Sequence, residues 1–326
     1  MRALLCVEHG PPEALELHDV PSPTPGPGQV LVEVEACGVN FPDTLIIQDL
    51  YQYKPDLPFS PGSDIAGVVK AVGDGVAHVG VGDEVLAMIN WGGFAEEALA
   101  PATQVFPKPA DMDFETAAAF LMVYSTSFHA LKDRARLKEG ETLLVLGAAG
   151  GVGLTAVELG KLMGARVIAA ASTTQKLNLC REYGADEVIN YVEEDLKARV
   201  KEITGGSGAD VVYDPVGGSY SEQALRATAW KGRYLVVGFA AGEIPSIPLN
   251  LVLLKGCQIV GVFWGRFATT EFERNMGNTM QLVQWYREGK LRPHIDRVYT
   301  LDEAPEALRD MMERRVKGKI VIRPHN

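Results

Sequence analysis

The run LLVLGAAGGVGLTAVELGKLMGARVIAAAS, residues 143–172, restricts this chain's fold more than any other stretch. An apolar strand, Leu143–Leu146, enters a glycine-rich turn. A helix leaves the turn from about Gly151, and a second apolar strand follows. Gly150 and Gly153 take the second and third glycine places of a dinucleotide fingerprint; the first place holds Ala148, with Gly147 just before it. Gly150 lets backbone approach a pyrophosphate, and Gly153 lets helix pack on strand. The helix start, with Gly151 and Val152, offers unpaired N–H groups to an anion. A glycine-rich turn by itself fits a flexible loop or tight packing equally well. The strands on either side are what make it a nucleotide turn.

The end of the next strand bears on which nucleotide. A site for NAD usually places Asp or Glu there to bind the ribose hydroxyls. Here RVIAAA runs into STTQK with no acid. Ser172, Thr173 and Thr174 offer hydroxyls and Lys176 a charge, which suits a 2′-phosphate and therefore NADPH. The plainer alternatives are a helix N-cap for the hydroxyls and a solvated helix face for the lysine.

Further along, ADEVINY, ADVVYDPV and GRYLVVGF are short apolar strands separated by helical segments, so a parallel, doubly wound sheet is expected. Before residue 120 the pattern is different. QVLVEVEACGV, DIAGVVKAVGDGV and VGDEVLAM alternate apolar and other residues between Gly-Asp turns, which predicts a mostly β domain. From Asp113, a candidate cap, residues 113–135 turn helical. The last part, RPHIDRVYTLDEAPEALRDMMERRVKGKIVIRP, returns to strand, helix and strand, too little for its own core. The expected division is therefore 1–122 as the first part of one domain, 123–265 as the nucleotide domain and 266–326 as the return.

Composition narrows the partners. At 326 residues, 47% apolar and 22% charged, the chain reads as globular with room for two domains. A net charge of −11 argues against a nucleic-acid groove, and no apolar run is long enough to span a bilayer. The cysteines Cys6, Cys37, Cys180 and Cys257 are scattered, with no C-x-x-C, so a reducing, cytoplasmic setting is expected.

The segment CGVNFPDT, residues 37–44, has the look of a metal-binding turn, and PGSDIAGVV follows about twenty residues later. Yet Asn40, Ser63 and Asp64 stand where soft ligands would be needed. A catalytic zinc takes three N, S or O ligands with a fourth position open, and Asp64 alone cannot hold one. Asn40 is a candidate donor to a substrate oxygen, or an Asx-turn residue holding the loop. His129, on an apolar helical stretch, reads as a satisfied core histidine. Arg266 is a candidate contact for an anionic acceptor, or a partner in a surface salt bridge.

Taken together, GVNFPDT, PGSDIAGVV, VGDEV, GGFAEE, AAGGVG, ADEVINY, VYDPVGG and KGKIVI resemble the zinc-free quinone oxidoreductase (zeta-crystallin-like) branch of the medium-chain dehydrogenase/reductase superfamily, over essentially the whole chain. The resemblance implies an α/β protein with a GroES-like catalytic domain and a Rossmann NADPH-binding domain. It implies NADPH-dependent reduction of quinones or α,β-unsaturated carbonyls, and a homodimer formed through the last Rossmann strands around LKGCQIVGVFW. Carried over residue by residue, it puts Asn40 beside the nicotinamide and Thr126 facing its ribose or ring. Tyr51 becomes a proton donor or an aromatic wall, although Asp49 replaces the glycine of the family's Gly-x-Tyr segment. Tyr191 joins Lys176 around the adenosine phosphate, and Phe239 and Lys319 are further cofactor contacts. Two other readings remain open: an enoyl-thioester reductase of the same fold, and a non-catalytic NADPH-binding or RNA-binding protein.

Overall fold

The computed structural model describes residues 1–325. The chain forms two compact units, one made of Met1–Met122 with the segment from Pro293 onward, the other of Val123–Arg292.

The first unit is built on a mixed sheet. Its strands run in the order Ile295–Thr300, Lys319–Arg323, Gln29–Val39, Asp64–Val72, Glu84–Met88 and Val105–Pro107, with Glu97–Pro101 also paired to Gln29–Val39. The first pair is parallel; the remaining pairs are antiparallel. Alternating apolar residues such as Val30, Val32 and Val34 supply its core, together with Ile65, Val85, Ile320 and Ile322. A short hairpin, Arg2–Cys6 with Leu15–Asp19, lies apart from this sheet. Asp113 caps the helix Phe114–Ala118 as its sequence suggests, its carboxylate accepting from Thr116 N–H at 2.7 Å.

The second unit is a six-stranded, wholly parallel sheet. Its order is Glu187–Asn190, Arg166–Ala171, Thr142–Leu146, Ala209–Asp214, Thr228–Val236 and Gln258–Gly261. The order reverses direction at Thr142–Leu146, the switch point where a doubly wound sheet opens a ligand crevice at its strand C-termini. The nucleotide helix, Gly151–Leu162, leaves from that strand.

The chain crosses from one unit to the other after Met122 and again after Arg292. Glu158, in the nucleotide helix, serves both ends of the second unit. Its carboxylate accepts from the Tyr124 hydroxyl at 2.7 Å and from Arg292 N–H at 2.8 Å.

The return to the first unit at Pro293 lies later than the sequence pattern places it. Helices Trp264–Thr270 and Phe272–Arg287 belong to the second unit. Their partners explain why. Residues His129–Ala135 form a π-helical turn, and Asp133 there accepts from the Asn278 amide at 2.9 Å and pairs with Arg274 at 2.7 Å. Lys132 donates to Asn278 at 2.7 Å, and Trp285 packs edge-on against Phe128. His129 is satisfied as expected: Nδ1 lies 2.9 Å from Asp133, and its ring stacks on Phe267 at 3.9 Å between centroids. These polar partners are invisible to an apolar-periodicity reading of residues 266–292.

Candidate functional site

The chemistry-bearing residues gather in two places, one in each unit. In the second unit the glycine-rich turn has the shape that a pyrophosphate needs. Gly150 is the N-cap of Gly151–Leu162, in extended conformation. A β-carbon on Gly150 would touch only Gly147 O, at 3.4 Å, an ordinary contact. Protein packing therefore does not demand glycine there, whereas close approach of a phosphate does. Gly153 is different, because a β-carbon would lie 2.9 Å from Ala148 Cα. Ala148 is buried, its N–H bonded to Ala170 O on the next strand. Ser127 Oγ bonds to Val152 O at 2.9 Å, which ties helix Leu121–Phe128 to the start of the nucleotide helix; Thr126, next to it, is half-buried.

At the end of Arg166–Ala171, Ser172 is half-buried and Thr173 is the N-cap of Thr174–Glu182, accepting from Lys176 N–H at 3.3 Å. The cap reading therefore holds for Thr173, with Ser172 just before it in the chain. Tyr191 follows the neighbouring strand and packs on Tyr220 at 4.4 Å between centroids. Past Ala209–Asp214, the buried Asp214 gathers Val216 N–H, Gly217 N–H and the hydroxyls of Ser221 and Tyr234. This fixes the DPVGG turn, against which Phe239 packs; a β-carbon on Gly217 would sit 2.9 Å from its ring.

The first unit holds the other cluster. Strand Gln29–Val39 ends at Asn40, and Pro42 helps start the helix Phe41–Ile46. Asp43 accepts from Asn40 N–H at 2.7 Å, which closes the turn. The Asn40 side chain is buried, Nδ2 donating to Gly38 O at 3.2 Å. Its Oδ1 accepts from the Lys319 ammonium at 2.6 Å, and the same ammonium donates to Val39 O at 2.7 Å. Gly38 makes room for this lysine: a β-carbon there would be 3.2 Å from Nζ and 2.1 Å from Ala118 O.

Two carboxylates and a thiol surround the ammonium. Asp64 is 0% exposed; Oδ2 accepts weakly from Met122 N–H at 3.4 Å, and Oδ1 has no hydrogen-bond partner. Burial pushes Asp64 up to about 7 and Asp43 up to about 6, with Lys319 opposing both. Burial also lowers Lys319, against the pull of Asp64 and Asp43, and raises the Cys37 thiol well above its ordinary value. Ser63 Oγ is buried without a partner. Tyr51 is half-buried, edge-on to Tyr53 at 5.6 Å, and its hydroxyl is pushed up to about 12 by burial. Asp43 and Cys37 escape a reading built on metal-ligand places. The FPDT run, with proline and aspartate in a first helical turn, was the available signal for Asp43.

A parallel dinucleotide-type sheet and a separate, mostly antiparallel unit with a buried polar cluster define a two-domain pyridine-nucleotide oxidoreductase. Comparison with known proteins agrees. Residues 26–110 match the alcohol dehydrogenase GroES-like domain and 151–281 the zinc-binding dehydrogenase domain. The chain is 40% identical to quinone oxidoreductase-like protein 2 homolog of Nematostella vectensis, over 98% of this chain and 88% of the relative. It is 35% identical to quinone oxidoreductase of Rattus norvegicus, over 99% and 97%. Among solved structures, Escherichia coli quinone oxidoreductase complexed with NADPH matches with a TM-score of 0.94 at 31% identity, covering 99% of this chain and all of that one. A mycobacterial protein complexed with NADPH matches with the same TM-score at 33% identity, again over 99% and 100%. The chain belongs to the quinone oxidoreductase branch of the medium-chain dehydrogenase/reductase superfamily.

One matching domain is described as zinc-binding, and the residues here do not fit that ion. Asn40 Oδ1 is already taken by an ammonium, and of the three places at Asn40, Ser63 and Asp64 only the last offers a carboxylate. Among the described residues no three His, Cys, Asp or Glu side chains converge as a metal set. Arg266 is exposed and makes no ion pair among the described residues, so the surface salt bridge expected for it is not formed.

Proposed function

We propose that this oxidoreductase reduces quinones or related α,β-unsaturated carbonyls with NADPH and without zinc. The observation that carries the reading is the cluster at Asn40, where an amide and a buried ammonium occupy the turn that would otherwise offer metal ligands. Bound NADPH supplies a hydride. The chain's own residues bind, orient and polarise. The N–H groups at Gly150, Gly151 and Val152, with Ala148 and Gly153 shaping the turn, receive the pyrophosphate. Ser172, Lys176 and Tyr191 take the 2′-phosphate, Phe239 borders the nicotinamide end, and Thr126 faces the ribose or ring. Asn40 donates its amide to the acceptor's carbonyl oxygen as negative charge develops there. Tyr51, held in its neutral form by burial, is an aromatic wall with a proton to give. An already electrophilic acceptor suits a site without a Lewis acid, since no hydroxyl proton has to be removed from an unactivated alcohol.

Arg266, exposed and without an ion-pair partner, favours a second reading in which the acceptor is an enoyl thioester carrying phosphates. The strand Gln258–Gly261 is the edge of the parallel sheet, with Ile259 exposed. Pairing of this edge with that of a second copy is the homodimer we propose, since an apolar edge otherwise invites aggregation. The test is NADPH oxidation over quinones, alkenals and enoyl-CoA esters, with metal analysis and light scattering on the same preparation. Turnover of quinones or alkenals that survives a chelator supports the reading. A tightly bound zinc required for activity, or no turnover with any acceptor, overturns it.

A further inference from the structure

The mismatch with zinc leaves a question of charge. A buried site that polarises a carbonyl through a neutral amide works better with a positive charge behind that amide. The first unit supplies one from its own last strand. The Lys319 ammonium is 4% exposed, lies 2.6 Å from Asn40 Oδ1 and 2.7 Å from Val39 O, and is flanked by Asp64, Asp43 and Cys37. A side-chain amide has two faces of opposite sense, an acceptor oxygen and a donor nitrogen. An ammonium can only donate, so its bond to Oδ1 settles which way the amide stands. Nδ2 is left on the side of Gly38 O, where it makes the longer bond of the pair, at 3.2 Å, and of the Asp64 carboxylate. Rotation of the amide would put an N–H₂ against an ammonium and a carbonyl oxygen against the Gly38 carbonyl, two repulsive contacts in a dry environment.

We propose that Lys319 is a positioning residue for carbonyl reduction: it holds Asn40 oxygen-inward, so that an acceptor's oxygen meets the amide's N–H edge, and it supplies the positive charge a metal would otherwise bring. This rests on the reading of Asn40 as the substrate's hydrogen-bond donor. It gives Lys319 a part distinct from a direct cofactor contact. The carboxylates complete the arrangement. Asp64 and Asp43 offset the cost of burying the ammonium, as the buried pairing of unlike charges requires.

The experiment is a double-mutant cycle between Lys319→Met and Asn40→Ala, read as kcat with the best acceptor and as NADPH Kd by nucleotide fluorescence. Methionine keeps the length and removes the charge. Lys319→Met is expected to lower kcat about tenfold to a hundredfold, the scale of one charge-assisted hydrogen bond, with NADPH Kd unchanged within about twofold. In the Asn40→Ala background the same change should cost little further. An equal rise in NADPH Kd would make Lys319 a cofactor contact and overturn the proposal. So would an undiminished loss in the Asn40→Ala background. If Asn40→Ala alone keeps near-normal turnover, the underlying reading of Asn40 fails, and that outcome is separate from either of these. Should Lys319→Met not fold, Lys319→Met with Asp64→Asn removes the opposite charge as well. Loss of the native circular dichroism spectrum in both variants would assign Lys319 to folding alone, against the proposal.

Discussion

The carbonyl oxygen of Gly147 stands 2.2 Å from the point a β-carbon on Gly153 would occupy. No side chain can be added there without moving backbone, because both partners belong to the strand–turn–helix itself. Gly153→Ala is therefore expected to destabilise the second unit by about 1–3 kcal/mol, the range for overpacking. Gly150→Ala, meeting only an ordinary contact, should leave the melting temperature of the free protein nearly unchanged and still weaken NADPH binding. Melting curves with and without NADPH separate the two. Equal behaviour of the variants would show that the turn's glycines serve packing alone.

Lys176→Ala combined with Ser172→Ala should raise the KM for NADPH strongly and that for NADH little. Charge-assisted hydrogen bonds contribute roughly 1.5–3 kcal/mol each, or about tenfold or more per contact. Initial rates with both nucleotides check this. A wild type that prefers NADH would place the phosphate pocket elsewhere.

Asn40→Ala is expected to lower kcat by up to about a hundredfold with NADPH affinity preserved; loss of one oxyanion donor costs roughly 3 kcal/mol in a well-formed site. Asn40→Asp should harm turnover more. It keeps the size and the oxygen that faces Lys319, but replaces the donor nitrogen with an anionic acceptor set against Gly38 O. Circular dichroism must accompany both. Near-normal turnover by a folded Asn40→Asp would leave Asn40 a turn residue, with Tyr51 the next candidate.

Asp64 gives a pH signature. Its ordinary value is 3.8 and burial raises it to about 7. A carboxyl raised on folding favours the native state fully below its unfolded pKa. That contribution is lost as pH rises through the folded pKa, here from about 4 to about 7. The shift, with the opposing pull of Lys319 already in it, sets an upper bound of about 4 kcal/mol. Asp64→Asn, always neutral, should match the wild type in thermal stability below about pH 4, gain on it between about pH 4 and 7, and keep a constant lead above that. Melts across that range test the point; parallel curves would mean that Asp64 does not titrate there.

Much of this architecture could be read from the chain. The run at 143–172 gave the strand, turn and helix because its periodicities are local, and Asp113 marked a helix start three residues before the N–H it binds. Two features escaped. The helices from Trp264 to Arg287 were expected to return to the first domain, but their attachment depends on polar contacts such as Asp133 to Asn278, 145 residues apart. The second is the partnership of Asn40 with Lys319, separated by 279 positions. Asn40 stood out as a candidate in the CGVNFPDT turn, and Lys319 only through the family resemblance, as a cofactor contact. Only the pairing of Gln29–Val39 with Lys319–Arg323 brings amide and ammonium together.

Glu158 sits two turns into the helix whose first turn is shaped for phosphate, and one carboxylate there fastens the chain just after it enters the second unit and just as it leaves. Entry and exit are thus moored to the element that a nucleotide would grip. Both fastenings hang on one carboxylate, so its removal unties the chain's entry and its exit together.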